Sequence, residues 1–158
     1  ALGRAPLVCA AAPWGESGKL AASLVPMARL AALADYVLVE ADGSAGLPLK
    51  AHASHEPVIP AESGRIILVV GASGFGRAIR EAAHRPERYA ALAGCDVETA
   101  VTPEIAARVI RAEGLGDLVL VNQAETPEAR EHARKLAENL ALPVHAGSLR
   151  RGEMGCVS

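Results

Sequence analysis

The chain has 158 residues, 51% apolar and only 3% aromatic, with 16 Lys plus Arg against 18 Asp plus Glu and a formal net charge of -2. That length supports one domain with a real core, built here from Ala, Val, Leu and Ile. The charge balance leaves no basic footprint for nucleic acid or an anionic membrane surface, and no apolar run has the length of a membrane span or the layout of a secretory signal.

Leu7–Ala12 reads as a first strand, broken by Pro13-Trp-Gly. Gly15-Glu-Ser-Gly-Lys-Leu20 has the outline of a phosphate loop. That motif needs a glycine where Pro13 stands and a hydroxyl where Leu20 stands, so a flexible loop around Lys19 is the better reading. Pro26–Ala34 is a short helix by pattern, with Met27, Leu30, Ala31 and Ala34 on one face.

Ala34–Gly46 is the chemical centre of the sequence. An apolar, β-branched run, Tyr36–Val39, ends in Glu40, Asp42 and a glycine loop. The missing period-two alternation predicts a strand buried on both faces of a sheet. Carboxylates at the end of such a strand need a cation or donors, and open α/β sheets hold ligands at that edge. Gly43–Lys50 then forms a turn with unusual backbone freedom. The loop continues through His52, His55, Glu56, Pro57 and Pro60. On a helix, His52, His55 and Glu56 could share a metal. The flanking residues favour a loop and the His-Glu-x-x-His order is missing, so His55 and Glu56 are expected to anchor the loop by hydrogen bonds.

Arg65–Val70 is the clearest buried strand and runs into Gly71-Ala-Ser-Gly-Phe-Gly76. Ser73 stands where a dinucleotide fingerprint needs its second glycine. Helix is expected over Arg77–Ala93, divided at Pro86 and capped by Gly94, with His84 and Arg85 at the division in capping or surface ion-pair roles. Thr102-Pro-Glu and Thr126-Pro-Glu are two helix starts. The first helix buries Ile105, Ala106, Val109 and Ile110 and ends at Gly114. The second carries Ala129, Ala133, Leu136, Ala137 and Leu140 at helical spacing. Asp117–Val121 and Pro143–Ala146 are the remaining strands, and the tail from Gly147 reads as irregular. Cys9, Cys95 and Cys156 stand far apart without a CxxC pair, as in core or terminal residues of a reducing compartment. The alternation predicts a single α/β domain over residues 1–158, three-layered with a mostly parallel sheet.

The run Tyr36-Val-Leu-Val-Glu-Ala-Asp-Gly-Ser-Ala-Gly-Leu-Pro-Leu-Lys-Ala51, followed by His55-Glu-Pro-Val-Ile-Pro60, resembles the selenium-dependent hydroxylase accessory protein family of the YqeC type. His84-Arg-Pro-Glu87 and Thr102-Pro-Glu104 are similar to it again, and Val121-Asn-Gln-Ala-Glu125 stands where the family has an Asn-Lys-x-Asp-like element. The resemblance implies a P-loop NTPase-like fold whose phosphate loop lies upstream of these residues, so the chain corresponds to its later part. It implies a nucleotide, ATP or GTP, with magnesium. Glu40 and Asp42 would lie near the magnesium, and Lys50 would complement anionic charge. His55 and Glu56 would order the loop or assist proton transfer, and Asn122 and Glu125 would face the nucleotide. Gln123 replaces the lysine of that element, and Glu125 keeps the aspartate's charge on a longer stem. The implied partner is a molybdenum hydroxylase or its maturation factors, in the cytoplasm. Hydrolysis would require a phosphate loop supplied from elsewhere, and no general base is identified. A non-catalytic scaffold or cofactor-binding module is the alternative, and a small-molecule transferase using the Gly43–Lys50 and Gly71–Gly76 loops a third. The helix faces permit a homo-oligomer without requiring one.

Overall fold

The computed structural model describes residues 7–14 and 19–157. It is a mixed α/β chain with parallel strand pairs. Two compact units are distinguished, Ala1–Glu40 with Ile59–Ser63 and Ala41–Val58 with Gly64–Ser158. The phosphate-loop-like residues Gly15–Gly18 lie outside the described residues.

In the first unit, β1 (Ala12–Trp14) pairs antiparallel with β2 (Lys19–Ala21), and α1 (Met27–Ala31) follows Pro26. The strand expected over Leu7–Ala12 therefore starts only at its last residue. Pairing moves it: Ala12 faces Ala21 and Pro13 faces Leu20, and a strand exists where a partner does. The same reason corrects the central expectation. Tyr36–Val39 forms no strand, and no ladder among the described residues includes it. Tyr36 and Leu38 are each 89% exposed. Their β propensity describes how they would fit a pleated surface, and here no neighbouring strand supplies one.

In the second unit, β3 (Leu49–Lys50) pairs parallel with β5 (Ala83–His84). A larger sheet has the order β4-β6-β7-β8. Its strands are β4 (Ile67–Gly71), β6 (Leu118–Asn122), β7 (Val144–Ser148) and β8 (Glu153–Cys156). The first three run parallel, and β8 returns antiparallel to β7. The tail expected to be irregular thus closes the sheet. Gly147 makes this possible: a Cβ there would lie 1.9 Å from the Glu153 carbonyl oxygen. Only a residue with no side chain lets the two strands come so close.

Among the described residues of this unit, four α-helices fill the connections: α2 (Ile79–Ala82), α3 (Pro86–Ala93), α4 (Pro103–Glu113) and α5 (Pro127–Glu138). The two Thr-Pro-Glu signals work as their chemistry predicts. Thr102 Oγ1 accepts from the Ile105 N–H at 3.3 Å, and Thr126 Oγ1 from the Ala129 N–H at 3.1 Å. Gly94 and Gly114 close α3 and α4 with φ of 67° and 61°, the left-handed turn that glycine enters without strain. Pro86 opens α3 as expected, but the stretch before it is not helix up to the proline: α2 ends at Ala82 and Ala83–His84 pair as β5 with β3. The core lies between the sheet and these helices. Val70, Val119, Val121 and Val144 meet Ile105, Val109, Ala133 and Leu136 in one buried cluster.

Candidate functional site

β4, β6 and β7 all end on one side, at Gly71, Asn122 and Ser148. The Gly43–Lys50 turn is tied to this carboxyl edge by backbone. The Gly71 N–H donates to the Pro48 carbonyl at 2.8 Å. A Cβ on Gly71 would lie 2.7 Å from Pro48 Cβ and 2.9 Å from Gln123 Oε1, so glycine sets this close approach. Gln123 takes a left-handed φ of 64° and accepts from the Ser73 hydroxyl at 2.6 Å. That strained backbone is where β6 turns toward α5.

Behind the turn runs a chain of alternating charges. Arg85, itself left-handed at φ 61° before α3, pairs with Glu56 and donates to the Ala51 carbonyl. Glu56 Oε1 lies 3.0 Å from Lys50 Nζ and accepts from the Ala53 N–H at 3.2 Å. Lys50 Nζ continues to Asp42 Oδ2 at 2.5 Å and donates to the Gly43 carbonyl at 2.7 Å. Asp42 Oδ2 also lies 3.0 Å from His52 Nε2. It is buried, and both nitrogen neighbours approach it outside hydrogen-bond geometry, so the Lys50 charge rather than directional bonding holds it. On the far side of the ring, His52 Nδ1 meets Glu113 Oε2 at 2.8 Å, and the His52 N–H donates to Glu113 Oε1 at 2.7 Å. Each nitrogen of the His52 ring therefore faces a carboxylate, and of these two contacts the one from Nδ1 to Glu113 has hydrogen-bond geometry.

Burial alone would raise the Glu56 carboxyl. The hydrogen bonds from Lys50 and Ala53 and the charges of Lys50 and Arg85 outweigh it and hold Glu56 at about 2. Burial, reinforced by Glu113 and Cys95, pushes the Tyr89 hydroxyl upward.

Glu40 and Asp42, expected near magnesium, belong to different units. Glu40 is exposed and belongs to the first unit. Asp42 is paired with the Lys50 ammonium. No group of three or more His, Cys, Asp or Glu among the described residues could hold a metal. Lys50 is likewise saturated by Asp42, Glu56 and Gly43. Glu56 anchors the loop as expected, whereas His55 is exposed.

The other two expected residues lie elsewhere on the same edge. Asn122 and Glu125, with Gln123, Arg150 and Arg151, line an open cavity of about 750 Å³. Asn122 Oδ1 accepts from the Leu149 N–H at 3.0 Å. A hydrogen bond with the Ser148 side chain is the main cause that holds Glu125 below the usual carboxylate range. Its own N–H and the charges of Arg151 and Arg150 add to this against a lesser cost of desolvation. Sequence reasoning missed Glu113, Ser148 and the two arginines. An Arg-Arg pair just past a strand end was a readable signal only if that strand reached Ser148.

The comparisons with known proteins bear on the first half of this edge. The chain is 44% identical over 61 residues to "Uncharacterized protein YqeC" of Escherichia coli (strain K12). That alignment covers 38% of this chain and 24% of the relative, so the match spans about a quarter of the relative's length. No solved structure matches. A family described as YqeC protein matches residues 2–87, more than half of the chain, a span that includes Asp42, Lys50, His52, Glu56 and Arg85 of the charge chain but not Glu113. The protein belongs to the YqeC family.

Proposed function

We propose that this YqeC-family chain is a nucleotide-binding accessory module, serving maturation of a selenium-dependent molybdenum hydroxylase, with a P-loop NTPase-like, three-layer arrangement. The observation that carries the reading is the cavity at the carboxyl ends of β6 and β7, lined by Asn122 and Glu125. Ligands of open α/β sheets sit outside those strand ends, and an amide beside a carboxylate can accept and donate along the edge of a base. Magnesium enters this reading only as the counter-ion of the nucleotide phosphates, because no residue of the chain is assigned to it. The charge chain behind the Gly43–Lys50 turn is a brace that fixes the turn against β4 and contributes no ligand.

Calorimetric titration with ATP and with GTP, each with magnesium, tests the reading against Glu125→Gln. Binding of one nucleotide, weakened about tenfold by the substitution, is expected from loss of a charged hydrogen-bond acceptor. No heat from either nucleotide would sink it. A second reading, a scaffold that binds no nucleotide, is favoured by one observation. Asp42 and Lys50, central to the family-like motif, pair their charges with each other.

A further inference from the structure

The β7–β8 turn carries two adjacent guanidinium groups into the cavity. The charge chain uses neither of them. Ion pairs among the described residues include neither Arg150 nor Arg151. Two like charges on neighbouring residues repel each other, and an anion between them or beside them relieves that repulsion. The turn that holds them is fixed from several sides. The Arg151 N–H donates to the Ser148 carbonyl at 3.1 Å, and the Gly152 N–H to the Leu149 carbonyl at 3.2 Å. The Leu149 N–H is held by Asn122, and the Ala124 N–H donates to the Gly147 carbonyl at 2.8 Å. Gly152 supplies the left-handed φ of 69° that sends the chain back as β8. A cationic pair on a braced turn loses little further backbone freedom when it binds. Glu125, on the β6 side of the same cavity, already feels the charges of both arginines, so a phosphate held by them competes with this carboxylate and must supply more negative charge than it does.

We propose that Arg150 and Arg151 form a phosphate-recognition site, so that the cavity takes a ligand through a phosphate group held on the β7–β8 turn. Paired guanidinium groups suit phosphate oxygens because each offers parallel N–H donors. The site rests on the nucleotide reading only for the identity of what the phosphate is attached to.

The test uses the full chain and three probes: inorganic pyrophosphate, ATP and adenosine, each followed by calorimetry. The paired substitution Arg150→Gln with Arg151→Gln is expected to weaken pyrophosphate about tenfold or more. Arg108→Gln, an exposed change on α4, is expected to leave it unaltered. In the unsubstituted chain, pyrophosphate affinity is expected to fall as salt rises, which tests the site even if the paired variant fails to fold. Equal pyrophosphate affinity in the chain and its paired variant, or affinity indifferent to salt, overturns the proposal. ATP binding that survives the paired substitution overturns the phosphate site and leaves the nucleotide reading standing. Pyrophosphate binding that needs the arginines, with no stronger binding of ATP, supports the site and removes adenine nucleotide as its occupant. No binding of any probe overturns both.

Discussion

Glu56 is the residue on which the brace turns. It meets Lys50, Arg85 and the Ala53 N–H with one carboxylate, and its folded pKa of about 2 lies below its ordinary 4.5. A depressed carboxyl contributes stability above the unfolded value and loses it as pH falls toward the folded one, because the unfolded chain then binds more protons. The chain is therefore expected to lose urea resistance as pH drops from 4.5 toward about 2. Glu56→Gln is expected to be less stable at neutral pH and to show a flatter loss across that window. An unchanged slope in the variant would place the acid sensitivity elsewhere. The residue scale also marks a limit of reading from sequence. Asp42, Lys50 and Glu56 stood out as chemistry, but their mutual saturation depends on which atoms meet after folding. The same three side chains, differently turned, would make a ligand site.

At the scale of elements, local signals were legible and paired ones were not. A helix start lies within four residues, so Thr102-Pro-Glu and Thr126-Pro-Glu could be read directly and both caps form. Thr126→Ala is expected to cost about 1 kcal/mol by removing the acceptor for the Ala129 N–H, measured as a shift in the urea midpoint at constant slope. A strand is a property of two segments. Tyr36–Val39 has the composition of one and no ladder, whereas Glu153–Cys156 has little β propensity and a full register with β7. The arginine wall was hidden for the same reason, since only the return of β8 turns residues 149–152 into a loop on the carboxyl edge.

The whole molecule combines a well-paired sheet with a segment that has no regular structure. β4, β6 and β7 are bonded in parallel register over a core that includes Val119, Val121, Leu136 and Val144, each fully buried. Residues 32–40 form no helix or strand and are exposed throughout. Amide hydrogen exchange followed by mass spectrometry is expected to show slow exchange in peptides covering 118–122 and 144–148 and fast exchange in those covering 32–40. Comparable protection in the latter would mean that the segment is paired in solution. The α/β class was legible from the alternation of patterns across the chain. The division into two units was not, because it depends on which segments contact one another and not on how any one of them reads.

The exposed run from Tyr36 to Val39 also bears on the colloidal behaviour of the chain. Four consecutive residues of high β propensity, uncharged and without proline, are short of a full cross-β segment but close to one. Asp35 and Glu40 stand immediately on either side. Their like charges oppose stacking of identical strands in register, as gatekeepers do. The charge of Glu40, with that of Asp35, is thus expected to keep neighbouring molecules from templating on one another in concentrated solution.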